Sequence, residues 1–333
     1  MIIKNKLEKY LEKIWYKKQH PLLVKISQIS NILIEIRKRF YLLFNILKKK
    51  TKIPIIIVGN INVGGTGKTP FVIHLTLLFK KIGFKPAIIS RGYKRKNKYI
   101  KSVKNNSKVD MVGDEPLLIF KKTHCPTIVG KKREISIKYL LNNYKIDIII
   151  CDDGLQYYKL QRNIEIIIVD GNRYFGNELC IPFGPLREPI SRLNYTDIVV
   201  LNEINNKKQL YKKFKMRFNY NSIININNKK NKKIKHLKNK FVYLVAGICN
   251  PNKFIIMIKK KKIKILKKYI YPDHYKYNIE DFIFEKKIPI VTTEKDAIKC
   301  THFKNKFIWA IPINISLNKN LTHCIFKIIK NRI

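Results

Sequence analysis

Between His20 and Leu47 the apolar residues Leu22, Ile26, Ile29, Leu33, Ile36, Phe40, Leu43 and Leu47 recur at alternating steps of four and three. That spacing predicts one face of a long helix. Lys25, Glu35, Arg37, Lys38 and Arg39 interrupt the stretch and Lys48, Lys49 and Lys50 close it, so it is not a membrane-spanning segment. Such a helix lies in a lipid interface, with basic residues near anionic headgroups, or it packs on the protein's own core or on a partner. The pattern alone leaves both readings open.

From residue 54 onward the pattern changes to short apolar runs alternating with helical segments. Ile55, Ile56, Ile57 and Val58 form a β-branched run with no polar interruption, as in a central parallel strand covered on both faces. A helix is predicted over 71–81, then a strand over 86–90 that ends in Arg91-Gly92-Tyr93, and a basic loop over 94–110. Gly113-Asp114-Glu115-Pro116 opens the next helix, where two acidic residues suit the positive end of the helix dipole. Strands follow at 127–130, 147–151, 164–170 and 197–203, with a helix over 131–144 and a Gly/Pro-rich stretch over 171–189. Residues 219–240 are almost entirely Asn, Lys and Ile and read as a connector. Beyond them the alternation resumes, with strands at 241–246, 288–292 and 307–311 and helices at 251–260 and 295–300.

The prediction is an α/β fold with a mainly parallel sheet flanked by helices and a second, smaller α/β unit. The expected division is 1–50 for the amphipathic helix region, 51–218 for the first unit, 219–240 for the connector and 241–333 for the second. At 333 residues, 45% of them hydrophobic and 11% aromatic, the chain has ample material for packed cores. Its formal net charge of +48 suits nucleic acid, anionic lipid or a phosphorylated substrate. Lys, Ile and Asn share A/T-rich codons, so a compositional bias also produces the excess. Six cysteines without a CxxC pair read as reduced, packed thiols in a cytosolic compartment, and no secretory signal is expected.

The chemistry concentrates where the first run ends. Residues 54–69 read PIIIVGNINVGGTGKT. Asn62, Val63, Gly64, Gly65, Thr66, Gly67, Lys68 and Thr69 form a candidate phosphate-binding loop. In it backbone N–H groups turn inward, Lys68 reaches the β- and γ-phosphates and Thr69 ligates Mg²⁺. The strict pattern GxxxxGK[ST] asks for glycine where this chain has Asn62, and a glycine-rich hairpin with a chance lysine is the alternative. Asp152, at the tip of the predicted strand 147–151, stands where a Mg²⁺-associated carboxylate belongs.

Taken together, the loop at 62–69, RGY at 91–93, GDEP at 113–116, DDGLQ at 152–156, GPLREP at 184–189, PDH at 272–274 and TEKDA at 293–297 resemble one family. It is the tetraacyldisaccharide 4'-kinases, the lipid A kinases of Gram-negative bacteria. The resemblance covers about residues 20 to 312, and the family loop also lacks the first glycine. It implies two α/β domains with a site between them, and transfer of the γ-phosphate of ATP to the 4'-hydroxyl of a tetraacylated glucosamine disaccharide 1-phosphate. The product would be lipid IVA, made at the cytoplasmic face of the inner membrane by a peripheral enzyme whose N-terminal helix touches the lipid. By matched motif, Lys68 and Thr69 hold phosphate and Mg²⁺, Asp152 and Glu115 assist the metal, and Asp114 with His274 activates the sugar hydroxyl. No nucleic acid and no obligate protein partner are expected.

The chain departs from the family pattern at Tyr157, where His is usual, at Lys94 and Glu178, where Gly is usual, and at Tyr275, where a second His is frequent. A P-loop ATPase acting on nucleic acid and a non-catalytic membrane-binding relic are the rival readings. The first is motivated by charge but lacks a nucleic-acid motif. The second predicts lost catalytic groups, whereas Lys68, Thr69, Asp114, Asp152 and His274 are all present.

Overall fold

In a computed structural model the described residues are 14–16, 21–45, 51–160, 162–202 and 213–332. The first helix, α1 (Pro21–Asn45), falls on the predicted amphipathic segment; Leu47 lies outside the described residues. Among the described residues no helix is long and apolar enough to cross a membrane.

The first run becomes β1 (Ile55–Gly59), which lies between two parallel neighbours. Helix α2 (Lys68–Lys81) and strands β2 (Pro86–Ser90) and β3 (Lys101–Ser102) follow. The chain continues through α3 (Val109–Val112), α4 (Asp114–Thr123), β4 (Thr127–Val129), α5 (Arg133–Asn143) and β5 (Ile148–Asp152). Strands β6 (Ile164–Asp170), β7 (Ile198–Asn202) and β8 (Lys213–Asn219) complete this part. Side chains alternate across β1: Ile55 and Ile57 join the core that includes Ile137 and Leu140 of α5, with Ile34 of α1 packed against it. Ile56 and Val58 join Phe71, Val72, Leu75 and Phe79 of α2. Each such fully buried side chain contributes about 1.5–3 kcal/mol of transfer free energy, so a strand buried on both faces is a strong anchor for the loop that leaves it.

The second unit contains β9 (Ser222–Asn225), β10 (Asn231–Lys233), β11 (Phe241–Ala246), α6 (Pro251–Lys260) and β12 (Lys264–Ile270). It ends with β13 (Ile290–Thr293), the single turn α7 (Glu294–Ala297) and β14 (Ile308–Ile311). The chain then returns through β15 (Asn314–Leu317) and α8 (Lys319–Arg332). One sheet has the order β15-β8-β7-β6-β1-β5-β2-β4-β3 and the other β10-β9-β14-β13-β11-β12. Pairing is parallel at the centre of both sheets, and antiparallel where β3 and β15 form the edges of the first and where β9 and β10 join the second.

Two expectations change. Residues 219–240 are no connector: β9 and β10 are strands of the second sheet, and Ile223, Ile234 and Leu237 lie in its core. Their Asn and Lys neighbours hide that core: alternate positions of β9 are buried, and Ile234 and Leu237 are the buried ends of a short 3-10 turn after β10. Residues 314–332 belong to the first unit, since β15 pairs with β8 and Leu321, Ile325 and Ile329 of α8 are buried on the first sheet. The units are therefore joined by two adjacent crossings, residues 220–221 and 312–313. Strand β12, KILKKYI, is a sheet edge whose exposed lysines discourage further pairing, and its mixed pattern gave little strand signal.

Candidate active site

The phosphate-loop residues gather at the carboxyl end of β1. Asn62 is buried and donates through Nδ2 to the Tyr174 carbonyl at 2.6 Å, which accounts for a side chain where the common pattern has glycine. Val63 N–H donates to the Pro185 carbonyl at 2.7 Å and Arg187 N–H to the Ile61 carbonyl at 2.6 Å, so GPLREP braces the entry to the loop. The Gly65 carbonyl accepts from Arg173 Nη2 at 3.2 Å and the Thr66 carbonyl from Asn202 Nδ2 at 2.9 Å. Gly64 and Gly67 have φ of 101° and 94°, the left-handed side that glycine tolerates. A Cβ on Gly67 would also meet Phe218 Cζ at 2.7 Å. Lys68 and Thr69 open α2, where the unpaired N–H groups of a helix start face the loop.

Lys68 Nζ donates to Asn60 Oδ1 at 2.9 Å and lies 3.3 Å from Asp153 Oδ1. Arg187 Nη1 pairs with the same carboxylate at 3.2 Å. Gln156 Nε2 donates to the Asn60 carbonyl at 3.0 Å and to Glu188 Oε1 at 2.8 Å, so a buried glutamate supports the loop from below. Asp152, fully buried at the end of β5, accepts from Ser90 Oγ at 3.1 Å, and its other oxygen has no hydrogen-bond partner among the described residues. Burial, then the charges of Glu115 and Asp153, push the Asp152 carboxyl up to about 7. Asp153 goes the other way: burial raises it, but Lys68 and Arg187 overcome that and hold it at about 2. Adjacent carboxylates with opposed protonation preferences mark a site built for charge handling.

The second cluster crosses between units. Asp114, buried at the start of α4, accepts from His274 Nδ1 at 2.8 Å. His274 has φ of 63°, and its ring meets Tyr93 edge-on with centroids 5.3 Å apart, which gives RGY and PDH a common location. Burial raises the Asp114 carboxyl, and the His274 hydrogen bond with the Lys295 charge more than offsets it, leaving it below its usual value. Lys295 lies 3.0 Å from Glu115 and 3.1 Å from Asp273. Burial works against its charge, but Glu115, Asp114 and Asp273 raise its pKa well above the usual lysine value.

Every residue expected in the site therefore falls in one of these two clusters, and Glu115 links them, since its charge reaches Asp152 while its carboxylate holds Lys295. Sequence alone assigns no role to Asn60, Asp153, Gln156, Arg187, Asp273 and Lys295. All lie inside or beside the motifs, but their partners are distant in sequence, so only the DDG, GPLREP, PDH and TEKDA strings hinted at them. Tyr157 hydrogen-bonds Glu134, and Tyr275 stacks on Tyr271 with centroids 4.4 Å apart.

A parallel sheet carrying a glycine-rich loop, its lysine and strand-tip carboxylates defines the P-loop phosphotransferase class. A family model described as tetraacyldisaccharide-1-P 4'-kinase (LpxK) matches residues 19–330. The tetraacyldisaccharide 4'-kinase of Legionella pneumophila (strain Corby) is 38% identical over 316 residues, spanning 93% of this chain and 94% of that protein. The enzyme of the same name from Francisella tularensis subsp. novicida (strain U112) is 40% identical over 320 residues, spanning 92% and 99%. The crystal structure of the "apo" form of LpxK from Aquifex aeolicus in complex with ATP superimposes with a TM-score of 0.78 at 30% identity, covering 92% of this chain and 98% of that one. The chain belongs to the tetraacyldisaccharide 4'-kinase family.

Proposed function

We propose that the chain transfers the γ-phosphate of ATP to the 4'-hydroxyl of a tetraacyl glucosamine disaccharide 1-phosphate, giving lipid IVA at the cytoplasmic face of the inner membrane. The observation that carries this reading is the 2.8 Å contact between Asp114 and His274, two groups from different units in a cluster that Glu115 links to the phosphate-loop carboxylate Asp152. Lys68 moves from Asp153 to the phosphates, where its charge is matched to the oxygens of the transferring group. Asp114 takes the proton as the sugar oxygen bonds to phosphorus and the bond to the ADP oxygen breaks. His274, donating through Nδ1, keeps that carboxylate aimed.

Mg²⁺ needs only one or two carboxylates besides phosphate oxygens and water. The unpartnered oxygen of Asp152 and the hydroxyl of Thr69 fit it, with Glu115 near enough for its charge to be felt at Asp152. Bound there, it would neutralise charge on the β- and γ-phosphates.

Helix α1 supports lipid access. Ile29, Leu33, Ile36, Phe40 and Leu43 are each more than half exposed, while Ser27 is buried and Ile34 packs on the core. The apolar stripe therefore faces away from the protein, as an interfacial helix requires. The test is γ-labelled ATP with the tetraacyl disaccharide 1-phosphate in detergent micelles. A doubly phosphorylated lipid is the expected product, and ATP hydrolysis without labelled lipid overturns the proposal.

A further inference from the structure

The turn Thr293-Glu294-Lys295-Asp296-Ala297 has no part in the chemistry above, yet its charged side chains face three different pieces of the molecule. Glu294 pairs with Lys122 of α4 and accepts from Ile313 N–H at 3.2 Å, beside the second crossing between units. Asp296 is buried within the second unit, accepting from Gly247 N–H at 3.0 Å and pairing with Lys299 at 2.7 Å. Lys295 points at the Asp114–His274 cluster. Its Nζ lies 3.0 Å from Glu115 Oε1, 3.1 Å from Asp273 Oδ1, 3.4 Å from His274 Nε2 and 3.9 Å from Asp114 Oδ2.

We propose that Lys295 is a positioning residue for phosphoryl transfer, holding His274 in the tautomer whose Nδ1–H faces Asp114; this rests on the kinase reading above. An ammonium group has three donors and no acceptor, so the ring nitrogen facing it must present a lone pair. The ring proton is then on Nδ1, where it is donated to the Asp114 carboxylate. Asp273 pulls the other way, because its Oδ2 lies 3.5 Å from the same Nε2 and a carboxylate there favours a proton on that nitrogen. Lys295 decides the contest by engaging Asp273 through Oδ1 and offering its own N–H to Nε2. Without the ammonium, Nε2 faces the Asp273 carboxylate and takes a proton of its own, while Asp114 at 2.8 Å keeps the one on Nδ1. The ring, now cationic, draws charge from Asp114 and leaves it a weaker acceptor for the hydroxyl's proton.

The full-length protein carries the test. Lys295→Met lowers kcat roughly 10- to 100-fold, the usual cost of losing the partner that orients a functional histidine. KM for ATP changes less than kcat, because Lys295 touches the nucleotide site only through Glu115. Lys295→Met combined with His274→Ala is little worse than His274→Ala alone. Nitrogen spectra of histidine-labelled protein without substrate, with the signal assigned by its loss in His274→Ala, show Nδ1 alone protonated in the wild type and both ring nitrogens protonated in Lys295→Met. Lys295→Arg keeps donors and charge, so it keeps the wild-type tautomer and recovers part of kcat. An unchanged ring protonation in Lys295→Met, a changed one in Lys295→Arg, or losses that multiply with His274→Ala overturn the inference. A wild-type protein that transfers no phosphate to the lipid overturns the kinase reading instead, since the tautomer is read without substrate.

Discussion

His274 and Asp114 stand 160 residues apart in the chain and 2.8 Å apart in space, one from the second unit and one from the first. The proposed base draws one group from each unit, so separating the units would dismantle it.

Asp114→Ala and His274→Ala are each expected to cut kcat by roughly 10² to 10⁴ with ATP still bound, as for loss of a general base. The double variant should be little worse than the poorer single. Steady-state kinetics with the lipid acceptor decide it: fully multiplicative losses mean separate roles.

Lys68→Ala and Asp152→Ala are expected to fail through the nucleotide, by roughly 10²-fold or more in Mg·ATP turnover, because both act on charge at the phosphates. Undiminished turnover in either variant removes that residue from the site.

Asp152 also makes a pH prediction. Its folded-state value of about 7 exceeds the ordinary 3.8, so between those values the folded state binds more protons than the unfolded one. The stabilising contribution is therefore present below the ordinary value and lost as pH rises to about 7. Without nucleotide or metal, Asp152→Asn should gain in Tm relative to the wild type from about pH 5 to about pH 8. A constant difference across that range contradicts the shift.

The two family glycine positions filled here by Lys94 and Glu178 have φ of 57° and 64°. A left-handed side chain costs roughly 1–2 kcal/mol, partly offset by the greater chain entropy of glycine. Glu178→Gly should therefore stabilise the protein by about 0.5–1 kcal/mol in denaturant unfolding. Destabilisation would show that the Glu178 side chain contributes more than its backbone costs.

Much of this was legible in the sequence. The run from Ile55 to Val58, the GKT ending and the DDG tip carried their own physical signal, because a doubly buried strand and a phosphate loop both constrain local residue types. The stripe from Ile29 to Leu43 was legible as a helix face but not as an exposed one, since spacing says nothing about what covers it. Residues 219–240 misled because Ile223, Ile234 and Leu237 sit among Asn and Lys that only three-dimensional pairing excludes from the core. Lys295 was visible as a letter in TEKDA, but its partners Glu115 and Asp273 come from two other motifs, and no local pattern joins them.

Changing Leu33 and Leu43 to Glu should release the protein from anionic vesicles in co-sedimentation while leaving the fold intact, because both side chains are exposed. Unaltered pelleting would mean that another surface holds the lipid.

The return of the chain through β15 and α8 bears on how the molecule is made. Residues 222–311 form one uninterrupted stretch that can fold as it leaves the ribosome, whereas the sheet holding the phosphate loop starts earlier and ends later. Its core still lacks Leu321, Ile325 and Ile329 when the inserted stretch is complete. The nucleotide-binding half, begun first, is therefore the last to close, and a nascent chain stopped short of α8 carries an apolar sheet face open to chaperones and proteases.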